Sequence, residues 1–262
     1  METLYLVIPC YNEEQMLPIT AEALMKKMDR LISDGKIASN SKVMFVDDGS
    51  KDKTWEIIQK LHTLNPMFTG LKLSRNKGHQ NALLAGLMTA KSYADILVSM
   101  DADLQDDIDA IDGFLEKRAE GCDIVYGVRS SREKDTAFKR GTAQAYYKLL
   151  AKLGVEITYN HADYRLMSRR AVEALSEFKE VNLFLRGLVP MVGFKSDIVT
   201  YVRNERQAGE SKYPLKKMIS FAVEGITSLS VKPIRLITSL GLLVFLVSII
   251  LLIYFFVIWC MG

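Results

Sequence analysis

Short apolar runs separated by helical patterns set the order of this chain. Leu4–Ile8, Val43–Val46, Leu71–Leu73, Ile96–Val98 and Ile124–Tyr126 are runs of apolar or alternating residues bounded by polar ones, which predicts strands, the central ones buried on both faces. Between them the apolar positions recur at helical spacing. Leu17, Ala21, Leu24, Met28 and Leu31 form one stripe; Trp55, Ile58 and Leu61 form another, where Trp55 reads as packing. Asn81–Ala90 is rich in small residues and predicts a helix lying close on the sheet, and Ile111, Phe114 and Leu115 mark a fourth helix. Strand followed by helix, repeated, implies an α/β domain with a mostly parallel sheet and helices on both faces.

Later segments change the pattern. Phe138–Leu153 predicts a helix with one apolar and one basic face. His161–Leu166 reads as a connection into a helix at Arg169–Phe178, and Ile198–Val202 as a last strand. Leu215–Val231 is amphipathic, with Leu215, Met218, Ile219, Ala222, Val223, Ile226 and Leu229 on one side, which predicts a helix in a membrane interface. Leu236–Gly262 holds 27 residues without one charge. About 20 apolar residues suffice to cross a hydrocarbon core, so a transmembrane helix is expected. Lys212, Lys216, Lys217, Lys232 and Arg235 precede it, which orients the N-terminal domain to the cytoplasm. The expected organisation is a catalytic domain over 1–214, an interface helix over 215–233 and a span over 234–262. Met1–Pro9 opens into a strand rather than a signal peptide, and a further span beyond Gly262 is expected.

Composition adds exclusions. The net charge of +3 over 262 residues is too small to argue for nucleic acid. Cys10, Cys122 and Cys260 are odd in number and lack zinc spacing, which suggests a reducing compartment. Neither a G-x-G-x-x-G dinucleotide fingerprint nor a P-loop is present.

The chemistry lies at the strand ends. The second strand ends in Asp47 and Asp48, the fourth in Asp101, Asp103, Gln105, Asp106 and Asp107. In open α/β sheets ligands sit beyond the carboxyl ends of the strands. Crowded carboxylates repel unless a cation offsets them. Asp101, Asp103 and Gln105 offer hard oxygen ligands, which suit Mg²⁺ or Mn²⁺ rather than zinc. Arg129, Arg203, Arg206 and Lys212 follow on later loops, and arginine suits phosphate through its planar fork. A nucleoside diphosphate bound through a metal accommodates both sets of charge.

Four ordered motifs carry a family resemblance: Ile8-Pro9-Cys10-Tyr11-Asn12-Glu13, Val46-Asp47-Asp48-Gly49-Ser50, Asp101-Ala102-Asp103-Leu104-Gln105 and Asp163-Tyr164-Arg165-Leu166. They resemble glycosyltransferase family 2, with the GT-A fold, a Rossmann-like sheet with flanking helices. Within it the chain looks most like the polyprenyl-phosphate branch of bactoprenol glucosyltransferases and dolichyl-phosphate mannose synthases; the basic loop Arg203–Pro214 is similar to that branch's. The resemblance implies a membrane-bound inverting transferase. It would move a sugar from a nucleotide-sugar, UDP-glucose or a UDP-N-acetylhexosamine, to polyprenyl phosphate at the cytoplasmic face of a bacterial membrane. It implies nucleoside contacts from Pro9, Tyr11, Glu13, Asp47, Asp48, Asp101 and Ala102, without deciding which aspartate meets the base. It implies metal and diphosphate contacts from Asp101, Asp103 and Gln105, phosphate contacts from Arg129, Arg203, Arg206 and Lys212, and a catalytic position for Asp163. It leaves a homo-oligomer open and assigns His79 no role.

A lipid phosphate is already an oxyanion at neutral pH, so a general base has little to remove. Asp163 is therefore expected to orient an arginine or a sugar hydroxyl. Three alternatives stand against it: a processive polysaccharide synthase, disfavoured because Trp55 and Trp259 stand outside any Gln-x-x-Arg-Trp motif; a non-catalytic sugar-nucleotide-binding module, disfavoured by the intact carboxylates; and a nucleotidyltransferase, disfavoured because the N-terminal segment has no glycine-rich loop.

Overall fold

The computed structural model describes residues 1–130, 161–179, 184–204 and 232–262. The expected helix at 138–153, the basic positions Arg206 and Lys212, and the interface helix up to Val231 lie outside the described residues.

The described elements follow the predicted alternation. They are β1 (Leu4–Cys10), α1 (Leu17–Ser33), β2 (Lys42–Asp47), α2 (Thr54–Leu64), β3 (Phe68–Lys72), α3 (His79–Ala90), β4 (Ile96–Ser99), α4 (Ala110–Ala119), β5 (Ile124–Arg129), β6 (His161–Ser168), α5 (Arg169–Leu175), α6 (Leu185–Met191), β7 (Ser196–Tyr201) and α7 (Lys232–Met261). The strands form one seven-stranded sheet in the order β3-β2-β1-β4-β6-β5-β7. β1 pairs parallel with β2 and β4, β2 with β3, and β5 with β7.

β6 is the exception, antiparallel to both β4 and β5. Its first six residues, His161–Leu166, are expected from the sequence as a connection and are strand instead. Tyr164, Arg165 and Leu166 lack the apolar alternation of an ordinary strand because β6 is buried on both sides, its arginine included. Its reversal matters for function, because it delivers the start of β6, rather than its end, to the edge where β4 finishes.

Alternation along β1 divides two cores. Leu4, Leu6 and Ile8 pack with α1, α2 and α4 on one face of the sheet, while Tyr5 and Val7 pack with α3, α5 and α6 on the other. The small residues of α3 do bring it close: a Cβ on Gly86 would stand 2.4 Å from Val7 and 2.7 Å from Val46. Pro18 opens α1, where its missing N–H costs nothing. The Ser168 hydroxyl caps α5 by accepting from the Ala171 N–H. Cys10 and Cys122 are buried as packing. Helix α7 runs from Lys232, so it takes in the last two residues assigned to the interface segment. Its stretch Ile234–Met261 is long and apolar enough to cross a membrane, with mean hydropathy 3.1.

Candidate active site

The ends of β1, β2 and β4 and the start of β6 meet along one edge of the sheet. The loop after β1 is built onto the loop after β2. Asn12 takes a left-handed conformation (φ 53°). Its N–H donates to Ser50 Oγ at 3.0 Å, its side chain accepts from the Lys51 N–H at 2.8 Å, and the Glu13 N–H donates to Thr54 Oγ1 at 2.9 Å. Tyr11 and Glu13 are thereby set half-buried beside Asp47 and Asp48, and Pro9 is buried. Gly49 makes the turn possible: its φ is +67° and a Cβ there would lie 2.5 Å from the Arg75 backbone.

The two aspartates of this turn differ. Asp48 accepts from the backbone N–H groups of Lys77 (2.7 Å) and Gly78 (2.9 Å), and so clamps the segment that leads into α3. Burial raises its pKa against the pull of those two donors. Asp47 is fully buried; one oxygen accepts from the Ser50 N–H at 3.0 Å, and the other has no partner among the described residues. Such an orphan is costly inside a protein unless a ligand supplies a donor.

Along 101–107 burial alternates strictly. Ala102, Leu104 and Asp106 are buried; Asp101, Asp103, Gln105 and Asp107 are partly exposed. Four hydrogen bonds fix the ribbon. Thr20 Oγ1 donates to the Ala102 carbonyl at 2.6 Å, the Tyr164 hydroxyl donates to the Asp107 carbonyl, and buried Asp106 accepts from the Tyr201 hydroxyl and from Arg129. Leu104 holds a left-handed φ of 53°, the sort of backbone strain often kept at functional sites. Arg129, expected at phosphate, is thus engaged with Asp106 and Tyr201. Arg203 donates to the Gln105 side-chain oxygen, and the Asn204 N–H to the Gln105 carbonyl, so the strand leaving β7 is latched to this ribbon.

Among the described residues no group of three or more His, Cys, Asp or Glu side chains is arranged to hold a metal. The donors that remain for a hard cation are Asp101 and Asp103, since the Gln105 oxygen is taken by Arg203. Their chemistry fits such a cation. Burial, partly offset by His79 and reinforced by the charges of Asp106, Asp103 and Asp163, pushes the Asp101 carboxyl up to about 6. Negative charge is in excess there, and a divalent ion would relieve it.

Asp163 stands beside this ribbon because Ser99 at the end of β4 pairs with Arg165, and the Ser99 hydroxyl donates to the Asp163 carbonyl. Its carboxylate accepts from Arg165 (2.6 Å), Arg186 (3.1 Å) and Gln80 (3.2 Å). Burial alone would raise its pKa; the charges of Arg186, Arg165 and His79 outweigh that and hold it far below the usual carboxylate range. His79 Nε2 lies 3.6 Å from Asp101 and 3.8 Å from Asp163.

His79, Gln80 and Arg186 are the residues that sequence reasoning did not find. The first two open α3, directly after the glycine that Asp48 clamps. Arg186 reaches Asp163 only once α6 is docked against β6, with the Leu185 N–H donating to Gln80 at the start of α3. The one signal available was the cluster Gly78-His79-Gln80 at a predicted strand–helix junction.

The model of "Glycosyl transferase family 2" matches residues 5–176. An uncharacterized glycosyltransferase of Bacillus subtilis, YkoT, is 56% identical over 245 residues, 94% of this chain and 73% of that protein. The prophage bactoprenol glucosyl transferase homolog of Escherichia coli K12 is 41% identical over 240 residues, 91% and 76% of the two chains. The bactoprenol glucosyl transferase of Shigella phage SfX is 40% identical over 244 residues, 93% and 77%. Among solved structures, glucosyl-3-phosphoglycerate synthase from Mycobacterium tuberculosis superposes with a TM-score of 0.53 at 18% identity, covering 87% of this chain and 79% of that one. The mannosyltransferase PcManGT of Pyrobaculum calidifontis, solved with GDP-Man and Mn²⁺, gives 0.51 at 18% identity over 79% and 58%. These structures share the GT-A fold. With carboxylates from β2, β4 and β6 gathered on one edge of that fold, and the family match spanning β1 to the end of α5, the chain belongs to glycosyl transferase family 2, in the branch that includes the bactoprenol glucosyl transferases.

Proposed function

We propose that this glycosyltransferase moves a hexose from a UDP-sugar, UDP-glucose or a UDP-N-acetylhexosamine, to a polyprenyl phosphate at the cytoplasmic face of a bacterial membrane, with inversion. The observation that carries the reading is the meeting of Asp163 with the Asp101–Asp103 ribbon, in a chain 40–41% identical to proteins named for bactoprenol glucosyl transfer. Helix α7 supports the location, since it is long and apolar enough to anchor the domain where a lipid headgroup lies. Tethering enzyme and acceptor to one surface raises their effective concentration.

The nucleoside would sit against Pro9, Tyr11, Glu13 and Ala102, with the orphaned oxygen of Asp47 offered to a base N–H; Asp48, occupied with backbone donors, shapes the pocket instead. Asp101 and Asp103 would hold Mg²⁺ or Mn²⁺, which supplies charge neutralisation at the departing diphosphate. Arg203, held against Gln105, would add positive charge at phosphate, and the same role is assigned to Arg206 and Lys212, which lie outside the described residues. Arg129 acts one step back, fixing Asp106 under the ribbon. The acceptor phosphate needs no proton removed. A carboxylate held as low as Asp163 is a poor base, so its work is to hold Arg165 and Arg186 in place.

The test is UDP release by the full chain in nanodiscs, over a panel of UDP-sugars with Mn²⁺ or Mg²⁺, with and without undecaprenyl phosphate. Lipid-dependent release with one sugar preferred is the expected result. Donor binding without lipid-dependent release would sink the reading.

A further inference from the structure

We propose that Tyr201 is a positioning residue for the cation-binding carboxylates: from the end of β7 it fixes the backbone that presents Asp101 and Asp103, and so sets how tightly they hold a divalent cation. The proposal rests on the glycosyl-transfer reading above, in which those two aspartates hold Mg²⁺ or Mn²⁺, and deepens it.

The ribbon is strained, and it is pinned on both sides of the strain. Leu104, between Asp103 and Gln105, has a φ of 53°. A residue other than glycine keeps such a conformation only where its surroundings over-determine it. On the N-terminal side, Thr20 Oγ1 donates to the Ala102 carbonyl at 2.6 Å. On the other side the hold comes from β7. The Tyr201 hydroxyl donates to the Asp106 carboxylate, and three residues further on the Asn204 N–H donates to the Gln105 carbonyl at 2.8 Å. The Gln105 N–H donates to Asp103 Oδ1 at 3.1 Å. Through its N–H and its carbonyl, Gln105 thus links a carboxylate oxygen of Asp103 to the segment leaving β7.

The surroundings of Tyr201 make that hold rigid. Its side chain is buried, and its ring meets the Tyr164 ring edge-on with centroids 5.4 Å apart. The Tyr164 hydroxyl donates to the Asp107 carbonyl at 2.9 Å, so two stacked phenols support the same stretch of ribbon. Arg129 donates through Nε to the Tyr201 oxygen and through Nη2 to Asp106, each at 3.3 Å. Buried Asp106 is thereby neutralised by Arg129 and oriented by Tyr201. A buried polar network is rigid only while its members are satisfied. Without the phenol hydroxyl, Asp106 keeps its countercharge but loses its orientation, and the backbone beyond Leu104 is free to relax. A phenol carries no charge, so its removal changes where Asp101 and Asp103 stand and leaves the sum of charges around them as it was. A cation that demands fixed oxygen geometry registers such a displacement as lost affinity.

The experiment titrates the full chain in nanodiscs with Mn²⁺ at saturating UDP and reads free Mn²⁺ by electron paramagnetic resonance. Turnover against Mn²⁺ concentration and the melting temperature are measured alongside, for wild type, Tyr201→Phe and Asn204→Pro. Groups that hold metal-ligating side chains in place typically account for about ten- to a hundredfold in metal affinity. Expected for Tyr201→Phe is Mn²⁺ binding weaker by about tenfold, half-maximal activation moved up by about the same factor, and turnover at saturating Mn²⁺ close to that of wild type. Asn204→Pro deletes the N–H that holds Gln105 at an exposed position. It tests the same hold without touching the core, should weaken Mn²⁺ in the same direction, and decides the matter if Tyr201→Phe does not fold. A merely structural role would lower the melting temperature, or the fraction of chain that binds, with the affinity of that fraction unchanged. Unchanged Mn²⁺ affinity overturns the proposal, whatever happens to turnover, and so does a wild-type chain that binds no Mn²⁺. A wild-type chain that binds Mn²⁺ without lipid-dependent turnover overturns the functional reading instead, and the titration still judges Tyr201.

Discussion

Two buried aspartates in this molecule each sit between arginines, and only one belongs to a site. Asp123, before β5, accepts from Arg118, Arg170 and the Ser168 hydroxyl. Asp163, at the start of β6, accepts from Arg165, Arg186 and Gln80. Arginines lower both carboxyls below their usual range. β6 links the two, since Asp163 lies near its start and Ser168 at its end. The surroundings differ. Arg170 is 64% exposed and Arg118 also pairs with Glu2, so the charge around Asp123 drains outward to solvent. Around Asp163 one arginine is fully buried, and beyond His79 lie Asp101 and Asp103. A buried carboxylate between arginines is thus no signature of catalysis by itself. Further unneutralised acids, at the carboxyl edge of the parallel strands, make the difference.

The largest expected effect tests that asymmetry directly. Asp163→Asn strands the buried Arg165 charge and should cost roughly 3–5 kcal/mol in chemical unfolding. Asp123→Asn should cost only about 1–2 kcal/mol, because its arginines can return to water. Equal losses would remove the distinction. Next, Asp103→Ala should cut turnover by about a hundredfold, roughly 2.7 kcal/mol on the barrier, with the unfolding midpoint unchanged, since its side chain is not part of the core. A large drop in stability would make the ribbon structural like Asp123.

Gly49→Ala places a Cβ against the Arg75 backbone at positive φ and should destabilise by about 2 kcal/mol, with UDP affinity falling as the Asp47–Asp48 turn shifts. The smallest effect is set by acid, at the ion-pair cluster of Lys27, Arg30, Lys36 and Asp112. Burial opposes, but hydrogen bonds from Lys27 and Lys36 draw the Asp112 carboxyl down to about 2. Its contribution is therefore present above the ordinary carboxylate pKa and lost as pH falls towards 2. Asp112→Asn should lower neutral-pH stability by about 1–2 kcal/mol and flatten the acid slope, read from melts across pH. An unchanged slope would mean the cluster contributes nothing.

Sequence pattern alone specified the strand–helix alternation, the close seat of α3 and the acid-bearing ends of β2 and β4. Those features are local: periodicity reports which face a residue turns to the core, and a carboxylate after an apolar run marks a strand end. The resemblance added Asp163 without saying where it would lie. Only tertiary structure reversed β6 so that Asp163 met Asp101, spent Asp48 on the backbone of Lys77 and Gly78, turned Arg129 onto Asp106, and brought Gln80 and Arg186 together from positions 106 residues apart in the chain. The physical reason is that a charged side chain's role depends on which partner desolvates with it, and partners distant in sequence leave no periodicity to read.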